Sequence, residues 1–231
     1  MAAALAWGAV SASSLVIGAL LGLERGWPDR QVGIVLAFGA GALISAVSFE
    51  LVEEGQGVGA PGWVGLGLAA GALVYFGADR AVERRSSGGG TALALGAFLD
   101  GIPEQAVLGI SIAGGEGVSI GLLAAIFVSN LPEAMGSATE MRAGGTNPAR
   151  IWRLWAAVAV VCTLASVAGY VIADATGGNL QAAIDGFAAG ALLVMLTDSM
   201  IPDARDKAGR VAGLVTVLGF AVAAALSSLP A

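Results

Sequence analysis

Apolar residues run without a polar face through eight stretches of the chain, at roughly 3–24, 32–53, 61–79, 91–112, 117–141, 151–173, 180–202 and 210–229. Each is about long enough, as a helix, to cross about 30 Å of hydrocarbon. A helix folded in water alternates apolar and polar faces at the helical period. These stretches are apolar all round, and lipid leaves every backbone group to be satisfied within its own segment. The pattern predicts an all-α integral membrane protein with eight transmembrane helices, joined by short loops into one polytopic domain over residues 1–231. Met1 to Leu21 has no basic residue ahead of its apolar run, and the run is too long for a secretory leader, so it reads as the first span.

Composition agrees with that pattern. Hydrophobic residues make up 57% of the chain and charged ones 12%, and the mean hydropathy is +0.83. A soluble domain of this size carries far more charge. The basic residues test the segmentation independently. Arg25 and Arg30 fall between spans 1 and 2, and Arg80, Arg84 and Arg85 between spans 3 and 4. Arg142, Arg150 and Arg153 mark the junction of spans 5 and 6, and Arg205, Lys207 and Arg210 that of spans 7 and 8. Every Lys and Arg thus lies on one side. The positive-inside rule makes that side cytoplasmic and puts both termini outside a cell membrane, inner or plasma.

Other features narrow the picture less. The net charge of −6 is spread among loops and spans, leaving no basic patch for nucleic acid. Trp7, Trp27, Trp63, Trp152 and Trp155 lie near predicted helix ends, where an indole favours the headgroup layer. Cys162 is the one cysteine, which excludes an internal disulfide and makes it a packing residue. Gly88-Gly89-Gly90 lacks the strand and the basic ending of a phosphate loop and reads as a flexible link. Gly18 and Gly22, Gly67 and Gly71, and Gly186 and Gly190 have the spacing that lets membrane helices approach closely. Such glycines on several faces also permit a homodimer.

Two internal similarities point to the class of membrane protein. Phe38-Gly39-Ala40-Gly41-Ala42-Leu43-Ile44 in span 2 is echoed 149 residues later by Phe187-Ala188-Ala189-Gly190-Ala191-Leu192-Leu193 in span 7. An odd number of spans separates them, so the copies cross in opposite directions, as in an inverted repeat of spans 1–3 and 6–8 around a central pair. That pair carries the second similarity: Leu99-Asp100-Gly101-Ile102-Pro103-Glu104 in span 4 and Val128-Ser129-Asn130-Leu131-Pro132-Glu133 in span 5. A proline in mid-helix frees a backbone carbonyl, and a free carbonyl is a cation ligand. An ionisable group at mid-membrane costs about 2.5–3.5 kcal/mol on insertion scales unless it is paired or solvated. The chain has no His, and its basic residues belong to the loops, so Asp100, Glu104 and Glu133 must be protonated, hydrated or holding a cation. Helical spacing puts Asp100 with Glu104, and Ser129 with Glu133, on single faces, continued by Ser137 and Glu140. Two such helices facing each other would form an oxygen-lined cage.

These motifs, with the eight-span topology, resemble the ZIP family of divalent metal transporters over essentially the whole chain. The sequence is similar to a divergent bacterial-type member lacking histidine. Helix 4 of that family reads H-N-x-P-E-G, and helix 5 reads H or Q, then an acid or Asn, then x-P-E-G. By position the resemblance makes Asp100, Glu104, Ser129, Asn130 and Glu133 the metal ligands, with Gly101 where the family has Asn. The glutamates and prolines match; the imidazoles do not. Imidazole suits zinc, whereas oxygen ligands suit harder ions.

The resemblance therefore implies a divalent cation transporter moving metal toward the cytoplasm by alternating access. Family membership favours Zn²⁺, and the oxygen ligands also fit Mn²⁺ or Fe²⁺. No prosthetic group is expected; the partners are the metal ion and the lipid bilayer. Glu50, with Glu53 and Glu54, approaches the outer face and Asp198, with Asp203, the cytoplasmic one, as entry and exit groups or as solvated helix ends. The alternatives are a proton- or sodium-coupled carrier of another solute and a non-transporting, degenerate relative. An intramembrane enzyme is disfavoured, because the chain offers no His and no base beside Cys162.

Overall fold

A computed structural model describes residues 1–24, 27–85, 90–114 and 118–227. Arg25, Gly88 and Gly89 lie outside the described residues, as do the predicted span ends at 117 and 228–229. Among the described residues the chain forms eight helical stretches and no strand. They are α1 (Ala2–Glu24), α2 (Asp29–Ala46, continuing through Val47–Glu53 and Glu54–Val58), α3 (Pro61–Arg85) and α4 (Gly90–Ala113). Then follow α5 (Ile120–Ala143), α6 (Pro148–Asp174), α7 (Gly178–Met195, continuing through Leu196–Met200 and Ile201–Ala208) and α8 (Val211–Ser227).

Six of these, α1, α2, α3, α5, α6 and α7, are long and apolar enough to cross a membrane, and α8 is a shorter apolar helix. The perimeter agrees: Leu66, Leu73, Leu214 and Val217 are 65–75% exposed. Such side chains would be untenable in water as a contiguous surface and are at home in lipid. This is a multi-pass membrane protein. Helix α3 runs past its predicted end at 79, because Arg80 and Arg84 are good helix formers. The Arg80 guanidinium lies over the Phe76 ring, 4.2 Å from its centre.

Packing follows small residues. Helix α3 lies along α7, α8 along α2, α1 along α5 and α4 along α6, with α1 and α6 in contact between them. Gly67 and Gly71 of α3 abut the backbone of Ala183 and Phe187, while Gly186 and Gly190 abut that of Val64 and Leu68 in return. Gly41 and Gly219 seat α2 on α8 at Thr216 and Phe38. Gly18 and Gly22 press on the carbonyls of Leu131 and Met135, and Gly109 and Gly169 on those of Ser166 and Ala106. The predicted glycine pairs are thus used inside the chain. A contact made through Cα leaves no room for a side chain.

Helices α2 and α7 share a second feature. Each changes from α to π geometry partway along, α2 at Val47 and α7 at Leu196, again 149 residues apart. They run in opposite directions. Gly33 near the start of α2 meets Lys207 and Ala208 at the end of α7, whereas Gly55 and Gly59 beyond the end of the π segment meet Asp185 and Ala182 near the start of α7.

Two side chains depart from expectation. Trp155, expected at the headgroups, is fully buried with Ala12, Leu15, Ala138 and Cys162 in a cluster between α1, α5 and α6. It lies one turn along from Trp152, which is 46% exposed, and belongs to the buried stripe of Ile151, Trp155, Val158 and Cys162. Trp7 is partly buried against the core. Trp27 and Trp63 are exposed, as expected. Cys162 is a buried free thiol.

Replacing Gly190 by Leu should lower the thermal midpoint in detergent sharply, by an overpacking cost of about 1–3 kcal/mol or more. Gly77→Ala, at a position with nothing within 4 Å, should stay within about 0.5 kcal/mol of the native chain. A thermal-shift series on the two variants checks this.

Candidate functional site

Helices α4 and α5 each carry an internal proline, Pro103 and Pro132. Each ring removes the amide that would bond the carbonyl one turn earlier, at Leu99 and Val128. The acids and their neighbours cluster at these two breaks. Asp100, Glu104, Ser129 and Asn130 are all buried, Asp100 to 4% exposure and the others to 1% or less. Glu133 is partly buried.

The two helices do face each other. The Ser129 hydroxyl of α5 reaches Glu104 Oε1 of α4 at 3.1 Å, and it is also 3.0 Å from the Ile126 carbonyl. Among the described residues, the second oxygens of Glu104 and Glu133 are buried without a hydrogen-bond partner, and the Asn130 amide lies beside Glu104. Asp100 differs. The Tyr75 hydroxyl of α3 donates to its Oδ1, and the Ser199 hydroxyl in the π segment of α7 donates to its Oδ2 at 3.4 Å. Among the described residues no three His, Cys, Asp or Glu side chains converge closely enough to hold a metal ion in this conformation. The two central helices set carboxylate, hydroxyl and amide groups against one another.

A cavity of about 400 Å³ leads to this region from one end of the bundle. Asp100, Glu133 and Ser137 line it together with Asp79, Asp198, Ser199, Asp203 and Glu140, and Lys207 lies among them. Asp198 is exposed there. Its lining comes from the beginnings of α2 and α4 and the ends of α3, α5 and α7, which is the end of the bundle holding the Lys and Arg residues.

Glu50 sits at the opposite end and is closed off. It is 7% exposed in the π segment of α2. Ser119 and Ser227 both donate to its Oε1, the latter at 3.2 Å, and the Ser111 hydroxyl of α4 is a further partner. Ser119 also caps α5, accepting from the Leu122 amide at 3.1 Å. Glu53 and Glu54 are exposed. Glu50 and Ser199 stand 149 residues apart in the two π segments, and each bonds to a central helix or its cap.

Sequence reasoning missed Tyr75, Asp79, Ser199 and the pair Ser119 and Ser227. Tyr75 is the one whose position could have drawn notice, as a hydroxyl in the middle of an apolar run. Buried oxygens in excess of their donors suit a cation, whose charge would offset the cost of their desolvation.

No family model matches the chain. Its sequence is similar to that of a protein from Arabidopsis thaliana named "Putative zinc transporter", with 31% identity over 204 residues. The match takes in 81% of this chain and 32% of the relative, so the chain spans about a third of the length of the protein it resembles.

Proposed function

We propose that this chain is a divalent metal transporter of the ZIP type, with Asp100, Glu104, Ser129, Asn130 and Glu133 as its midplane site. The observation that carries the reading is the pair of buried oxygens on Glu104 and Glu133 that have no hydrogen-bond partner among the described residues, beside a cavity that Asp100 and Glu133 line in an apolar bundle. The name of the plant relative favours Zn²⁺. The absence of imidazole makes Mn²⁺ and Fe²⁺ suitable as well. In this reading all eight helices cross the bilayer. The first three and last three form an inverted repeat around α4 and α5, supported by the matched π segments and the antiparallel run of α2 and α7.

The positive-inside rule makes the cavity's end cytoplasmic. The conformation is then inward-facing, closed outside at Glu50 and open inside at Asp198 and Asp203, and one state of an alternating-access cycle. Metal leaves toward the cytoplasm. A multi-pass location in the cell membrane with both termini outside follows from the same orientation.

Two measurements test this. In proteoliposomes the native chain should take up Zn²⁺, Mn²⁺ or Fe²⁺. Glu104→Ala and Glu133→Ala should each lower the rate by more than the roughly tenfold that an outer-shell partner commands; folded protein that passes none of these ions would falsify the proposal. Sidedness is tested by thiol labelling. The native Cys162 should resist a membrane-impermeant maleimide until the protein is denatured. Gly136→Cys in a Cys162→Ala background, on the cavity wall, should be labelled in inside-out vesicles and spared in right-side-out ones. The reverse pattern would invert the orientation.

A further inference from the structure

Asp100 is set apart from the other site acids by its partners. Among the described residues Glu104 and Glu133 each keep a buried oxygen with no donor, whereas both oxygens of Asp100 receive hydroxyl hydrogen bonds. The donors come from outside the central pair: Tyr75 from α3, at 4% exposure, and Ser199 from the π segment of α7. Asp100 therefore ties α4 to the α3 and α7 pair.

We propose that Tyr75, assisted by Ser199, is a positioning residue for metal release: its hydroxyl takes the place of the cation at Asp100 and lowers the affinity of the open site. The inference rests on the transport reading above. A cation that recruits Asp100 must displace the two hydroxyl donors, and a cation that leaves is replaced by them. The phenol keeps its proton throughout. Because a buried carboxylate left bare is costly, a donor ready beside Asp100 makes departure of the ion easier. A site that binds weakly on the side where cargo is delivered turns over faster, since tight binding there would make release limiting.

Tyr75 suits a selective test because its two parts do different work. The ring lines an apolar groove with Val74, Ile102 and Phe187 between α3, α4, α6 and α7, while the hydroxyl alone reaches Asp100. Tyr75→Phe keeps the ring and removes the donor. Zn²⁺ and Mn²⁺ binding to the purified full chain would be measured by titration calorimetry, and influx in proteoliposomes as a function of ion concentration. Tyr75→Phe should bind about tenfold more tightly, the scale of one hydrogen bond to a charged group. Its half-saturating concentration and its maximal rate should both fall. In an Asp100→Asn background the same substitution should change neither quantity. Ser199→Ala should shift both in the same direction by a smaller factor, and it carries the test should Tyr75→Phe not fold.

Weaker binding by Tyr75→Phe would overturn the proposal, because the phenol would then be orienting Asp100 as a ligand. Unchanged binding, or an effect that persists with Asp100→Asn, would overturn it in favour of simple packing. If the native chain binds none of these ions, the transport reading and this one fail together. If it binds them through Glu104 and Glu133 but Tyr75→Phe does not differ, this inference alone fails.

Discussion

Carboxylates inside a bundle of apolar helices are the constraint around which the rest is arranged. A carboxylate in a low-dielectric interior needs a counter-charge, water or hydrogen-bond donors, and this bundle supplies hydroxyls. Ser129 serves Glu104, Tyr75 and Ser199 serve Asp100, and Ser119 and Ser227 serve Glu50. A hydroxyl is a modest donor that a cation can outcompete, whereas a guanidinium would hold the acid permanently. At all three acids the donors come from other elements, so each carboxylate also ties helices together.

The scaffold can hold such groups because its helices meet through glycine. Contacts at Gly67, Gly71, Gly186 and Gly190 bring α3 and α7 together along their length, and Gly41 and Gly219 do the same for α2 and α8. Lipid offers no hydrophobic drive for helix association, so close van der Waals contact has to supply it. Within the two long helices that carry Glu50 and Ser199, the backbone widens to π geometry at those residues. Such segments often accompany functional positions, because the altered register redirects a side chain without ending the helix.

The two ends of the bundle are unlike. At Glu50 three elements converge on one buried carboxylate, and at Asp198 and Asp203 the corresponding region is an open, polar cavity. Halves that share a pattern but differ in closure are what the proposed alternating access requires.

Much of this was legible in the chain. Long runs of apolar residues can only be satisfied as helices in lipid, so the segment positions followed from composition and length. The glycine spacings foretold close contacts because helical geometry places every fourth residue on one face. Asp100, Glu104 and Glu133 stood out because uncompensated charge in such runs is expensive. Which hydroxyls answer those acids was not legible: Tyr75 lies 25 residues from Asp100 and Ser199 lies 99 away, and partners so distant are chosen by packing. The burial of Trp155 depended on which face of α6 meets α1 and α5. By itself the sequence determined the solvent, the helices and the acids, since these are properties of local stretches. Only the tertiary structure decided the closed end at Glu50, the open cavity and the tie on Asp100, because each depends on which helices lie side by side.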